Sequence, residues 1–363
     1  MKGKIALAFA VSMVLGGCAT VARKPTPTPT PQKVLSEFGS FWGGDIRCGQ
    51  AGCRLVAVAH ERGAAVVVRA DGRSWVKEGE LPTAYHPDSA VWLDGKRFAV
   101  AVESGGNLVI AEVDDSGPKA VKSLVVGFPP RDVRAVPNTA AGEVDLIASP
   151  YAGNALAYFA ATGPETWQQP EKLAGCQTPW HPEVRVTENE ITMVAGCLDD
   201  RKVVAWSRKA NGTWQAQTIA QMPHVPRNVA FSRDGKQLYV ALELGGKAAV
   251  IEWDQPGKPI HWLPLPGWGA VAVRELADGT VVWGEDRRLF LQRCDWRTWQ
   301  CETRQLPVDG FAGYLRVADV DQDGHEDVVV FHSAGNGVSV WYGPLWAQAE
   351  AVAHETKKAS NRN

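Results

Sequence analysis

Seven prolines punctuate this chain at near-regular intervals. They close the pairs Leu81-Pro82, Pro129-Pro130, Thr178-Pro179, Met222-Pro223, Leu265-Pro266, Leu306-Pro307 and Gly343-Pro344, and successive ones lie 37 to 49 residues apart. Between them run short β-branched and aromatic stretches joined by Asp-Gly or Gly-Gly turns, the signal of β-hairpins. The fifth unit shows the plan in residues 228–232, 237–243, 248–253 and 260–265. A period in the forties with about four short strands per unit predicts an all-β fold, a seven-bladed β-propeller of four-stranded antiparallel blades. Residues 33–38 read like a fourth strand and would complete blade seven; residues 346–352 are the alternative, and a different pairing of the termini would make eight blades.

The N-terminus reads as a targeting segment. Lys2 and Lys4 precede an apolar run at residues 5–15 that is too short to span a bilayer. Directly behind it, Leu15-Gly16-Gly17-Cys18 resembles the lipobox of bacterial lipoproteins. That resemblance implies cleavage before Cys18 and lipidation of its thiol. Ala19, in place of the aspartate that favours inner-membrane retention in the family, implies an outer-membrane location. The alternative is an ordinary secretory signal that contains a cysteine. The expected organisation is a signal peptide at 1–17, a lipidated Cys18 with a Thr/Pro-rich tether over 18–34, the propeller at 35–354 and a polar, disordered tail at 355–363. Alternating Thr-Pro favours extended polyproline II.

A formal net charge of −2 gives no basis for nucleic-acid binding or for a basic membrane patch. With Cys18 set aside, six cysteines remain, an even number in an exported chain, which points to disulfides. The repeat favours Cys48 with Cys53 and Cys294 with Cys301, each across a hairpin turn, and Cys176 with Cys197 between blades three and four. No CxxC pair is present, so a zinc knuckle is not expected.

Among fifteen tryptophans, Trp75, Trp167, Trp214, Trp262 and Trp299 recur where a fourth strand begins. Several follow Ser or Thr and resemble a degenerate Asp-box turn of sialidase-type propellers, where the motif is structural; they are expected to lock one blade against the next. Residues 229–240 resemble the first hairpin of WD40-like repeats in bacterial envelope propellers.

The most specific motif is Asp319-Val320-Asp321-Gln322-Asp323-Gly324-His325-Glu326-Asp327. It resembles the calcium loop of FG-GAP and VCBS repeats. Calcium takes six to eight hard oxygens, which alternating aspartates in a tight turn supply. The resemblance implies one structural Ca2+ held by the side chains of Asp319, Asp321, Asp323 and Asp327 and by the backbone carbonyl of His325. An unoccupied acidic turn is the alternative.

In a propeller, the loops entering each blade and those between its second and third strands share one central face. The entering segments hold Trp42, Tyr85-His86, Arg131, Trp180-His181, His224 with Arg227, Trp268 and Tyr314. The other loops begin with His60-Glu61, Glu103, Tyr151, Asp199-Asp200, Glu243, Glu285-Asp286 and His332. Trp42, Glu61, His86, Glu103, Arg131, Trp180, His181, His224, Arg227, Glu243, Trp268, Glu285 and Tyr314 are therefore the candidate ligand-binding residues. Such residues are also common at strand ends and in turns. The expected function is a monomeric, lipid-anchored scaffold or binding module of the cell envelope that meets a protein or polysaccharide partner through this face. A glycan hydrolase or lyase using a His/acidic pocket there is the alternative; no nucleophile or phosphate-loop motif accompanies it.

Overall fold

The computed structural model describes residues 29–138, 143–209, 212–335 and 337–360. Cys18, the signal segment and most of the tether lie outside them. The described chain is a β-propeller of four-stranded antiparallel blades. In the first, Phe41–Gly49, Gly52–Ala59, Ala64–Asp71 and Ser74–Pro82 pair in chain order. Four further sheets repeat this order across residues 87–125, 130–174, 179–221 and 225–264. Each sheet's central strands are apolar on both faces, as strands sandwiched between neighbouring sheets must be. The outermost strand, such as Ser74–Pro82, is mostly solvent-facing.

The expected seven separate sheets are not what forms. Residues 272–341 and the N-terminal strand make one six-stranded sheet, giving six larger sheets among the described residues. The cause is continuity of the backbone ladder. Val281–Asp295 and Gln300–Ala318 each run as one long strand. Their halves nonetheless pair differently. Residues 281–284 pair with Ala272–Glu275, residues 288–295 with 300–307, and residues 311–318 with Asp327–Ala334.

Gln32–Leu35 closes the ring. It pairs antiparallel with Val338–Trp341, with Gln32 opposite Val340 and Lys33 opposite Ser339. Sheet edges left unpaired are templates for aggregation, and this strand covers one. The competing segment at 346–352 lies instead in the helix Leu345–Ser360, which also takes in most of the tail expected to be disordered. Leu345 and Ala349 of that helix are buried against Leu306, Leu315 and Trp341.

Seven apolar clusters sit between successive layers. Gly196 shows how close the layers come. A Cβ there would lie 1.9 Å from the Pro226 carbonyl oxygen of the next sheet, so only glycine fits. The three disulfides are Cys48–Cys53, Cys176–Cys197 and Cys294–Cys301, the expected pairs. The recurrent tryptophans divide. Trp75 Nε1 donates to Tyr342 Oη at 3.1 Å across the ring closure, and Trp214 packs edge-on to Tyr158. Trp299 stacks on His261 of the preceding sheet. Trp167 sits in a separate two-stranded ribbon, not in a fourth strand, and Trp262 is exposed beside Lys247.

Candidate functional site: the central face

Two aromatic systems meet on the central face. The first is a ladder in which Trp42, His60, His86 and Tyr85 stack in that order, with ring centroids 4.5, 4.2 and 4.0 Å apart. Its members come from the start of the first sheet, the turn after Gly52–Ala59, and the loop entering Pro87–Trp92. His86 holds a left-handed φ of 61°, uncommon for a residue with a Cβ, which turns its ring onto His60. The second is a box around Arg131. Its guanidinium lies 4.5 Å from the Trp42 centroid, 4.7 Å from Tyr151 and 4.2 Å from Trp180. Such contacts contribute up to about 2 kcal/mol when desolvated. Arg227 covers Trp180 at 4.8 Å and reaches Glu243 at 3.3 Å.

A partly buried polar cluster shares His60 and His86 with the ladder. His60 Nε2 is 3.3 Å from Asp88 Oδ1, and the ligand atoms of His60, His86 and Glu103 lie within 4.8 Å of one another. Burial lowers the His60 pKa to about 4, against the pull of Glu61. Burial raises Asp88 to about 8, opposed by Arg131 and reinforced by Glu103. At neutral pH both groups are therefore uncharged, and their contact is not an ion pair.

Deeper in the channel the charges are real. Asp132, 1% exposed, meets Arg134 Nη2 at 2.9 Å and accepts from His181 Nδ1 at 3.1 Å. Burial pushes the Asp132 carboxyl up, but Arg134 and His181 outweigh it and hold it well below the usual carboxylate range. Burial lowers His181 to about 4 despite Asp132, so its imidazole is neutral and donates through Nδ1–H. Arg316 Nε donates to Asp45 Oδ1 at 2.8 Å, Arg274 reaches Glu183 at 3.6 Å, and Tyr314 Oη receives Arg134 and Arg316 together. These side chains fill the channel. The cavity left at its mouth, lined by Trp42, Asp88, Arg131, Trp180 and Arg227 among others, is about 30 Å³, the share of one water molecule.

The candidate residues thus separate by role. Trp42, His86, Glu103, Arg131, Trp180 and Arg227 come together at the channel mouth. Tyr314 and His181 point into the filled channel. Glu285, 3% exposed, accepts from the Gly269 amide at 3.2 Å and from the Trp268 amide, and pairs with Arg288 at 2.7 Å. It shapes the loop that leaves Trp268 75% exposed. His224 rests its ring over Gly245, and Glu61 accepts from Ser40 Oγ at 2.6 Å. A shallow hollow of about 480 Å³ lies beside Trp268, walled by Leu244, Phe311, Glu243, Glu285, Asp286 and Arg288. Sequence reading did not single out Asp88, Arg134, Arg274 or Arg316. The available signal was a charged residue inside an otherwise apolar first strand.

The acidic loop supplies hard oxygens suited to calcium. Asp319, Asp321 and Asp327 place ligand atoms within 4.8 Å of one another, and Asp321 Oδ1 is buried without a hydrogen-bond partner. Asp319 accepts from the amides of Asp323 and Gly324, and Asp327 from those of Val320 and Gly343. His325 donates its amide to Asp323 Oδ1 at 2.9 Å. Arg73 of the first sheet donates to Asp321 Oδ2 at 2.6 Å and lies 3.7 Å from Asp323, neutralising part of the loop's charge. The residues fit the ion, with Asp321 Oδ1 as the clearest vacant donor.

No protein-family model matches the chain, and no curated protein does. Solved structures do. A putative 6-phosphogluconolactonase from Bacteroides fragilis aligns with a TM-score of 0.64 at 15% identity, over 82% of this chain and 100% of that one. The WD40 β-propeller domain of Doa1 aligns with 0.62 at 12% identity, over 85% and 96%. The β-propeller domain of Cps50 (Swd1) from Myceliophteria thermophila aligns with 0.62 at 11% identity, over 86% and 100%. At such identities the likeness is one of fold.

Proposed function

We propose that this protein is a lipid-anchored binding module of the bacterial cell envelope that engages a protein or polysaccharide partner through its central face. The observation that carries the reading is the combination of a filled channel with a rim of exposed apolar groups: Tyr85, Tyr151, Leu244 and Trp268 are 59, 48, 50 and 75% exposed. A substrate pocket buries most of a small ligand. A cavity of about 30 Å³ at the mouth does not accommodate one, and the hollow of about 480 Å³ beside Trp268 is shallow and open, whereas a broad face with aromatic anchors suits a macromolecule. The three disulfides and the Leu15–Cys18 motif support an exported, anchored chain.

The same reading counts seven blades. In the six-stranded sheet the pairing changes partner between Asp286 and Arg288, where Arg287 holds a φ of 57°, and again before Phe311. Leu289, Leu291 and Leu306 on one side of that change pack against Leu315, Val328 and Val330 on the other. A sheet cannot pack on itself without folding, which supports reading it as two blades joined through continuous strands.

The test is affinity capture from detergent-solubilised envelopes, comparing the parent with a Tyr85→Ala, Tyr151→Ala, Trp268→Ala variant of equal thermal stability. Specific capture by the parent that the variant loses is the expected result. Equal capture by both would move the interface to the blade edges.

The acidic loop is proposed to bind one structural Ca2+ through the side chains of Asp319, Asp321, Asp323 and Asp327 and the backbone carbonyl of His325. Millimolar calcium is expected to raise the unfolding temperature, by about 2.7 kcal/mol of stabilisation at a hundredfold excess over Kd. Asp321→Asn is expected to remove the response. A calcium-independent melting curve would refute the site.

A further inference from the structure

We propose that His60, His86 and Glu103 form a second metal site, on the central face, that takes a divalent transition-metal ion such as zinc, with Asp88 orienting His60 through its other ring nitrogen. The three side chains converge from separate segments of two neighbouring sheets, and their ligand atoms lie within 4.8 Å of one another. A further observation points to a missing occupant. His60 is 8% exposed and its Nδ1 has no hydrogen-bond partner, while its Nε2 faces Asp88 at 3.3 Å. Each such buried atom costs about 1–3 kcal/mol, and native proteins carry few of them. A cation at Nδ1 gives that orphaned nitrogen a partner.

The donor set selects the metal. Two imidazole nitrogens with one carboxylate suit zinc, copper or nickel, whereas calcium and magnesium require more oxygens. Zinc–nitrogen bonds of about 2.0–2.1 Å place tetrahedral donors roughly 3.3 Å apart. Coordination therefore draws the present cluster inward by about 1.5 Å from its 4.8 Å limit. The His60 and His86 rings are stacked, 19° from parallel, so their in-plane lone pairs must tilt to converge. His86 is only half-buried on a loop, which leaves its ring room to do so. Arg131 opposes the ion, and Glu103 and Glu61 offset it.

The experiment titrates Co2+, then Zn2+, into the full chain carrying Asp321→Asn, so that the acidic loop does not supply the signal. The expected result is one equivalent of Co2+ with visible d–d absorption, displaced by Zn2+. His86→Ala and Glu103→Gln, each checked for unchanged circular dichroism, are expected to weaken Zn2+ binding by more than about 100-fold, since even outer-shell changes cost 10–100-fold. Absence of a Co2+ spectrum would overturn the proposal. So would equal affinity in both variants, or metal uptake found only when Asp321 is intact.

Discussion

Asp132→Ala is expected to be the most damaging single substitution at the channel, lowering stability by about 3–5 kcal/mol. The carboxylate is almost fully enclosed and is the direct partner of Arg134, itself 6% exposed, and of His181. Removing it strands a guanidinium that cannot reach water. The remaining contacts, to the Pro182 carbonyl at 2.8 Å and to Tyr314 Oη, carry no opposing charge. Urea denaturation measures the loss. Replacing the pair together, Asp132→Ala with Arg134→Met, is expected to recover a large part of it, because the penalty belongs to the unpaired charge more than to the pair. A single-variant loss below about 1 kcal/mol would mean that water already enters the channel.

Acidification is expected to weaken the fold through His332. The ring is fully buried, with Nε2 at 2.9 Å from Ser339 Oγ and Nδ1 unpartnered. Burial lowers its pKa from 6.5 to about 4, against the pull of Asp309. The folded state thus favours the neutral ring, while the unfolded chain takes up a proton below pH 6.5. The unfolded state binds more protons between pH 6.5 and 4, so stability is complete above 6.5 and is lost as pH falls through that window. The difference corresponds to about 3 kcal/mol. In His332→Gln, the slope of stability against pH over this window is expected to drop by one proton. An unchanged slope would show that the imidazole is already solvated in the native state.

Much of the fold was legible because periodicity is a local property. The spacing of Pro82, Pro130, Pro179, Pro223 and Pro266, with turns such as 233–236 between apolar runs, marks each four-stranded sheet. The cysteine pairs were readable because two of them flank a single hairpin turn. The merging of the last sheets was not readable, since the sequence cannot show whether a ladder continues through Asp286 and Asp309. Trp167 was misplaced for a related reason: the ribbon of Ala161–Gly163 and Thr166–Trp167 inserts before the true fourth strand, Glu171–Ala174.

The candidate site divides along the same line. Loop residues such as Trp42, His86, Arg131 and Trp180 announce themselves by type and by position in the repeat. Whether each faces solvent or the channel depends on neighbours contributed by other blades. His60 finds His86 and Asp88 only when the first two sheets pack, and Tyr314 meets Arg134 from 180 residues away.

The sequence by itself therefore determined the repeating β-hairpin plan, the disulfide partners and the inventory of aromatic, basic and acidic loop residues, because these follow from local spacing and residue type. Only the tertiary structure decided that the ring closes through Gln32–Leu35, that buried ion pairs fill the channel, and that His60, His86, Glu103 and Asp88 share one cluster. Those facts depend on which surfaces the sheets bury against one another, and burial sets both the contacts and the charges that survive in them.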